Sequence, residues 1–216
     1  MALLLSVLEQ GMIYGILALG VYITYKILDF PDLTVDGSFP FGAAITVRLI
    51  NGFGVPAILT LPIAFLGGAL VGICTGLIHV KLKVRDLLSG IIMMTGLYTI
   101  NLWVAGSGYV AIFDKDNIFN NSFVNSITPG FLVNFKNVII IFLITMVAKY
   151  LLDWYMSTKS GFLLRAVGDN DTIVTSLGVD KGLVKIVGLS IANGLVSLSG
   201  CIYAQQQRSF EISIGT

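Results

Sequence analysis

Charged side chains are scarce in this chain: Asp, Glu, Lys and Arg make up only 12% of its 216 residues, whereas 56% are hydrophobic. A soluble domain carries about 25% charged residues. The formal net charge is +1, so the chain has neither the basic field that nucleic acid attracts nor an acidic field for a basic partner. The composition predicts an integral membrane protein and excludes a nucleic-acid-binding one.

Residues that carry enzyme chemistry are also few. His79 is the only histidine, which excludes H-E-x-x-H zinc sites and multi-histidine metal or haem sites. Cys74 and Cys201 both lie in apolar runs and form no C-x-x-C pair, so buried thiols are the simplest interpretation. The sequence has no G-x-x-x-x-G-K-[ST] phosphate loop and no G-x-S-x-G nucleophile. We expect no metal, no cofactor and no catalytic site in this chain.

Long apolar runs are what the sequence does contain. A helix needs about 20 apolar residues to cross a bilayer, and continuous runs favour helices over the alternating strands of a barrel. The predicted spans are residues 3–28, 55–80, 87–104, 137–152 and 186–207.

A sixth membrane segment is predicted to be broken. Residues 29–40 contain three aspartates and two prolines, and the apolar piece at 41–47 is too short to span alone. It can cross only if the polar stretch lies within the membrane as a broken or re-entrant segment, which is tolerated where protein or a water-filled cavity surrounds the backbone. The predicted fold is therefore all-α and polytopic, with about six membrane segments in a single domain over residues 1–216.

Basic residues orient these spans. Lys81, Lys83 and Arg85 follow the second long span, and five further Lys or Arg residues lie in or beside residues 157–185. The loop at 106–136 holds only Lys115 and Lys136. Because cytoplasmic loops are enriched in Lys and Arg, both basic segments are predicted to be cytoplasmic, in a multi-pass protein of the cell membrane with its N-terminus outside.

Glycines recur at four-residue spacing in the 55–80 span. Gly68, Gly72 and Gly76 lie on one helical stripe, which lets another backbone approach closely. Packing within the subunit and a contact between subunits both fit this stripe. Gly11 and Gly15 form a weaker copy.

The acidic cluster of the polar stretch has two interpretations. Asp29 and Asp32 are expected at the surface, where they would cap the helix that follows. Asp36, beside Gly37, fits a surface position or a position against a substrate route equally well, because carboxylates at membrane depth usually mark a path.

Residues 157–185 form a polar block between two apolar spans. Arg165 lies between apolar residues, and Asn170 or Asp171 is predicted to cap a short helix over 172–177 that Gly178 ends. Such a helix would lie parallel to the membrane at the cytoplasmic face. An ordinary amphipathic interfacial helix is the alternative.

This block resembles the cytoplasmic coupling loop of ABC transporter permeases of the branched-chain amino acid and sugar permease superfamily. That family has G-x-x-x-R-A-x-G-x-N followed by a Gly-[IV] pair, which stand here as Gly161, Arg165-Ala166, Gly168, Asn170 and Gly178-Val179. The segment L-T-V-D-G-S-F at 33–39 is most similar to the uncharacterised and aromatic amino acid importer permeases.

The resemblance implies the membrane subunit of an ATP-driven importer. It implies a second permease subunit, most simply in a homodimer, an ABC ATPase subunit that binds the ATP, and an extracellular substrate-binding protein. An amino acid is the first candidate substrate, and nucleosides and sugars stay open. The implied ATPase-coupling residues are Gly161, Arg165, Gly168, Asp169, Asn170, Asp171 and Gly178. The implied residues of the substrate pathway are Asp36, Gly37, Ser38 and Phe39.

The sequence departs from the family pattern in two places. The E-A-A triplet of many importers is absent and Asp171-Thr172-Ile173 occupies its place, which leaves the register of the coupling helix open. The family continues with further spans where this chain ends at Thr216, so a truncated form and a naturally short form are both open. The alternative function is a secondary transporter or channel without an ATPase, for which inverted repeats and mid-span charges are expected.

Overall fold

The computed structural model describes residues 2–112, 117–120, 135–176 and 178–215, with the backbone alone for Ala2 and residues 171–173. Most of the predicted asparagine-rich outer loop, as well as Leu177, lies outside these residues. The helices are α1 Ala2–Tyr22, continued by a π-helical turn Ile23–Ile27, α2 Val35–Phe53, α3 Thr60–Leu82, α4 Asp86–Ala105, α5 Lys136–Met156, α6 Lys159–Asp169, α7 Asp171–Ser176 and α8 Lys181–Gln207. Short 3-10 turns cover Ala57–Leu59 and Ile212–Gly215.

Five helical segments of the described chain are long and apolar enough to cross a membrane. They are Leu3–Ile27, Ala57–Leu82, Asp86–Ala105, Lys136–Met156 and Lys181–Gln207. Each contains one of the five predicted apolar runs or most of it. The prediction of an all-α, multi-pass membrane protein is confirmed.

Two short strands join the ends of two helices. Strand β1, Tyr109–Ala111, follows α4, and strand β2, Ser209–Glu211, follows α8; they pair antiparallel with Val110 opposite Phe210. The distribution of basic residues predicts that both helix ends lie on one side of the membrane, the outer side. The pairing of the two strands requires both ends on the same side.

Helix α8 is the centre of the bundle. It packs against α1, α2 and α3, and every residue from 192 to 197 is buried. The helix begins where Asp180 caps it, the carboxylate Oδ1 accepting a hydrogen bond of 2.8 Å from the backbone N–H of Gly182. It ends at Arg208, whose backbone is left-handed with φ of 54°.

The glycine stripe of α3 faces α8. A Cβ atom added to Gly68 would meet the carbonyl oxygen of Asn193, and one added to Gly72 would meet that of Leu189. At Gly76 it would come within 2.8 Å of the Ile186 side chain. The stripe therefore brings the two backbones together inside the subunit.

Helix α2 is longer than predicted. The sequence predicted a polar break up to residue 40 and a helical piece too short to span, but α2 begins at Val35, passes Pro40 and ends at Phe53. Proline inside a helix displaces the carbonyl of the residue four positions earlier, and here that carbonyl, on Asp36, lies against Gly215. The non-helical stretch is confined to residues 28–34.

The non-helical stretch between α1 and α2 is enclosed by protein. Phe30, Asp32 and Thr34 are fully buried in it. Irregular backbone is stable at membrane depth only when its polar groups form hydrogen bonds within the protein. Side chains of α2, α3 and α8 form such hydrogen bonds with this stretch.

Candidate coupling site and the polar junction

Helix α6 is amphipathic and begins with a side-chain cap. The hydroxyl oxygen of Thr158 accepts a hydrogen bond of 3.4 Å from the backbone N–H of Gly161. Leu164 and Val167 are buried on one face, while Arg165 and Asp169 are exposed on the other. The charged face is therefore free to contact a molecule on the cytoplasmic side.

Two glycines seat α6 on the ends of membrane helices. Gly161 lies against the backbone of Tyr155 and Met156 at the end of α5. Gly168 lies against the carbonyl oxygen of Ile27 at the end of the π-helical turn that continues α1. In both places the neighbour is backbone, so a larger residue could not be accommodated by a side-chain movement.

A third contact joins α6 to α8. Leu164 is fully buried, and its Cδ1 lies 2.7 Å from where a Cβ of Gly188 would be. Leu28 packs against the same glycine. Helix α6 therefore touches the ends of α1, α5 and α8 that lie on the same side of the bundle.

Helix α7 follows directly. Asn170 separates the two helices with extended backbone, and its N–H donates to the carbonyl of Ala166 at 3.0 Å. The helix covers Asp171–Ser176, so it begins one residue earlier than predicted. The predicted last residue, Leu177, lies outside the described part of the chain. Gly178 has a left-handed φ of 75°, which favours glycine and lets the chain leave α7.

The predicted coupling residues thus fall into two groups. The exposed residues are Arg165, Asp169, Asn170 and Gly178. Gly161 is buried and Gly168 is half-buried, both on the side of α6 that faces the membrane helices. The side chain of Asp171 lies outside the described part of the chain. The exposed group can meet a partner, and the glycines hold the helix on the membrane domain.

A set of hydrogen-bonded side chains, which we call the polar junction, consists of Asp32, Thr34, Ser38, Thr75 and Asn193. The Asp32 carboxylate accepts 2.8 Å hydrogen bonds from the backbone N–H of Thr34 and from Nδ2 of Asn193. Burying a carboxylate is costly unless donors compensate it, and these two donors do so.

The remaining contacts tie the junction to three helices. The Ser38 hydroxyl of α2 donates to Oδ1 of Asn193 on α8 at 2.6 Å. The hydroxyls of Thr34 and of Thr75 on α3 are 3.1 Å apart. The non-helical stretch is thereby fixed to α2, α3 and α8.

The surface prediction is correct for Asp29, which is exposed, and wrong for Asp32, which is fully buried. The reason is the amide of Asn193, which lies 161 residues away and offers a donor inside the protein. Sequence reasoning did not single out Asn193, although an amide within an apolar span was an available signal.

The four predicted pathway residues lie in two different environments. Gly37 packs against Leu97 of α4 and accepts a 3.1 Å hydrogen bond from Asn101 at its carbonyl oxygen. Ser38 belongs to the polar junction, and Phe39 is only 2% exposed. Of these four residues, only Asp36 is partly exposed.

An aromatic cluster that the sequence did not indicate surrounds Phe39. Its ring centroid lies 6.1 Å from that of Tyr14 on α1 and 5.6 Å from that of Tyr203 on α8. Tyr14 is 44% exposed, so the cluster reaches the surface of the subunit beside α1.

Together, these features define a multi-pass helical membrane protein with short helices packed onto the ends of its spans. Residues 3–216 match the family described as branched-chain amino acid transport system, permease component. The chain belongs to that family of ABC-type permeases, which confirms the superfamily inferred from residues 161–179.

Several curated proteins are similar over almost the whole chain. A tyrosine transport system permease protein of Clostridioides difficile is 41% identical over 98% of this chain and 68% of its own length. An uncharacterised protein of Rickettsia prowazekii is 30% identical over 100% of this chain and 72% of its own length. A ribose import permease protein of Escherichia coli K12 is 25% identical over 99% of this chain and 64% of its own length. No solved structure gives a significant match.

Proposed function

We propose that this chain is the membrane-spanning permease subunit of an ATP-driven importer and that it forms part of the pathway for a small solute. An amino acid is the proposed substrate class. The support is family membership together with 41% identity to a permease of a tyrosine transport system.

The observation that carries the proposal is the seating of α6. An ATPase subunit that contacts the exposed face at Arg165, Asp169 and Asn170 would push on a helix with backbone contacts to α1 and α5. Because packed elements move as rigid bodies, closure of the motor would displace the cytoplasmic ends of the attached spans. That displacement would switch access to the pathway from outside to inside.

The proposed assembly contains a second copy of the chain, two ABC ATPase subunits that bind ATP, and an extracellular binding protein that delivers the substrate. Asp36, with its partial exposure, is the proposed pathway-lining residue. Gly37, Ser38 and Phe39 would hold α2 in position behind it through their contacts with α4, α8 and the aromatic cluster.

The test is capture of an ABC ATPase from the same genome, in mild detergent, by the chain and by two charge-reversal variants. Arg165→Glu changes the exposed face of α6, and Lys159→Glu makes the same charge change at the exposed start of the same helix. We expect Arg165→Glu to lose the ATPase and Lys159→Glu to retain it. Equal capture by both variants would contradict the assigned contact.

Uptake completes the test. Proteoliposomes holding the permease, the ATPase and the binding protein should accumulate radiolabelled tyrosine only when ATP is present on the side of the membrane where the ATPase lies. Accumulation by the permease alone, driven by an ion gradient, would instead establish a secondary transporter.

A further inference from the structure

A cavity of about 510 Å³ lies at the cytoplasmic end of α3, α4 and α8. It is separate from the exposed face of α6 and from the polar junction. Four cationic side chains and two carboxylates line it, so its lining carries net positive charge; they are Lys83, Arg85, Lys181 and Lys185, with Asp86 and Asp180.

Both carboxylates already have partners. Oδ1 of Asp86 lies 3.1 Å from Nδ1 of His79. Asp180 caps α8 through the N–H of Gly182. Among the described residues, no carboxylate lies within ion-pair distance of Lys83, Arg85 or Lys185. The cavity therefore holds more positive charge than its own residues neutralise.

The backbone adds to this field. The residue before α4 is Arg85, and no side chain in the described structure caps that helix. The first N–H groups of a helix and the positive end of its dipole favour a bound anion. The start of α4, with Asp86 in its first turn, and the cations Lys83, Arg85 and Lys185 border one cavity, and their combined charge favours an anionic ligand.

Exposed leucines adjoin the lining residues of the cavity in the sequence. Leu82, Leu87 and Leu183 each adjoin a lining residue in the sequence, and their side chains are 70%, 48% and 62% exposed. A small inorganic anion gains no contact with exposed leucines, whereas a lipid would pack its acyl chains against them. Basic pockets between membrane helices on the cytoplasmic side suit anionic headgroups.

We propose that this cavity binds the phosphate-bearing headgroup of an anionic phospholipid from the cytoplasmic leaflet, with the acyl chains along the exposed leucines. The bound lipid would neutralise the excess charge between α3, α4 and α8. This site is independent of the proposed ATPase contact.

The test is native mass spectrometry of the purified full chain in detergent, titrated with phosphatidylglycerol, phosphatidylcholine or inorganic phosphate. The cavity variant combines Lys83→Glu with Lys185→Glu, and a milder one combines Lys83→Gln with Lys185→Gln. The matched control combines Lys26→Glu with Lys159→Glu, two exposed cytoplasmic lysines outside the cavity. A thermal melt of each variant establishes that it is folded.

We expect phosphatidylglycerol to bind more tightly than phosphatidylcholine, and the Glu variant to weaken this binding about thirtyfold. The Gln variant should weaken it less and the control variant should leave it unchanged. Equal binding of both lipids, or an equal loss in the control, would overturn the proposal. Phosphate binding that depends on Lys83 and Lys185 without any preference for phosphatidylglycerol would assign the cavity to a free anion instead. If the Glu variant lost ATPase capture while its lipid binding stayed unchanged, the cavity would instead be assigned to an acidic protein surface.

Discussion

Gly168 of α6 lies directly against the carbonyl oxygen of Ile27, the last residue of the π-helical turn that extends α1. The contact is between a residue with no side chain and a backbone atom, so it has no flexible part that could yield. It makes the end of the first membrane helix and the cytoplasmic helix one mechanical unit.

Gly168→Ala should disrupt this contact, because the added methyl group collides with the Ile27 carbonyl. Overpacking of this kind costs about 1–3 kcal/mol of unfolding free energy. We expect ATP hydrolysis by the assembled transporter to continue while the solute accumulated per ATP falls. Uptake and hydrolysis measured in the same proteoliposomes give that ratio. Gly96→Ala is the control, since nothing lies within 4 Å of a Cβ there. An unchanged ratio in Gly168→Ala would show that the contact does not transmit motion.

Asn193→Ala should destabilise the protein by leaving the buried Asp32 carboxylate with one donor fewer. Leaving a buried polar group without its hydrogen-bond partner costs about 1–3 kcal/mol. Thermal unfolding in detergent measures the loss, with Thr95→Ala as the control because the hydroxyl of this exposed residue bonds only within its own helix.

Removing both polar partners should be tolerated better than removing one. Asp32→Leu combined with Asn193→Leu takes away the buried carboxylate as well as its donor, so the double variant should lose less stability than the sum of the single variants. Strict additivity would mean that the two side chains do not interact.

Gly72→Ala should separate α3 from α8, because the new methyl group meets the Leu189 carbonyl. The expected loss is about 1–3 kcal/mol, read from the melting temperature in detergent. Gly15→Ala in α1 has open space around it in the subunit. Since alanine also favours a helix over glycine, that variant should be as stable as the original or slightly more stable. Equal melting temperatures for Gly72→Ala and the original chain would refute the close packing.

Gly178→Ala tests backbone conformation alone. Nothing crowds a Cβ at this position, but φ is 75°. A left-handed backbone costs a residue with a side chain about 1–2 kcal/mol, so protease should cleave the chain between α7 and α8 more readily. Gly178→Asn should be milder, because asparagine adopts this conformation more easily. A loss in Gly178→Asn as large as that in Gly178→Ala would point to a cause other than φ.

The membrane helices and α7 could be predicted from the sequence because their signals are local. Apolar runs fix the spans, and Gly178 marks the end of α7 within two residues. The stripe of Gly68, Gly72 and Gly76 predicted a close helix contact, but the local sequence did not identify α8 as the helix that contacts it.

The polar junction could not be predicted in the same way. Whether Asp32 is exposed or buried depends on an amide 161 residues further along the chain. The length of α2 was also missed, since Pro40 and the aspartates read as a break, whereas the neighbouring helices and Gly215 accommodate a continuous helix there. The burial of Asp32 and the length of α2 both depend on contacts with residues distant in the sequence.

The pairing of β1 with β2 gives α4 an unusual attachment. At its inner end α4 is joined to α3 by the three-residue turn 83–85, and at its outer end the ribbon holds it beside the end of α8. Much of its surface in between is exposed, with Gly90, Leu97 and Asn101 among the buried exceptions. Helix α4 is therefore held along its length by α2 and at its outer end by the ribbon, which links the position of that end to the end of α8.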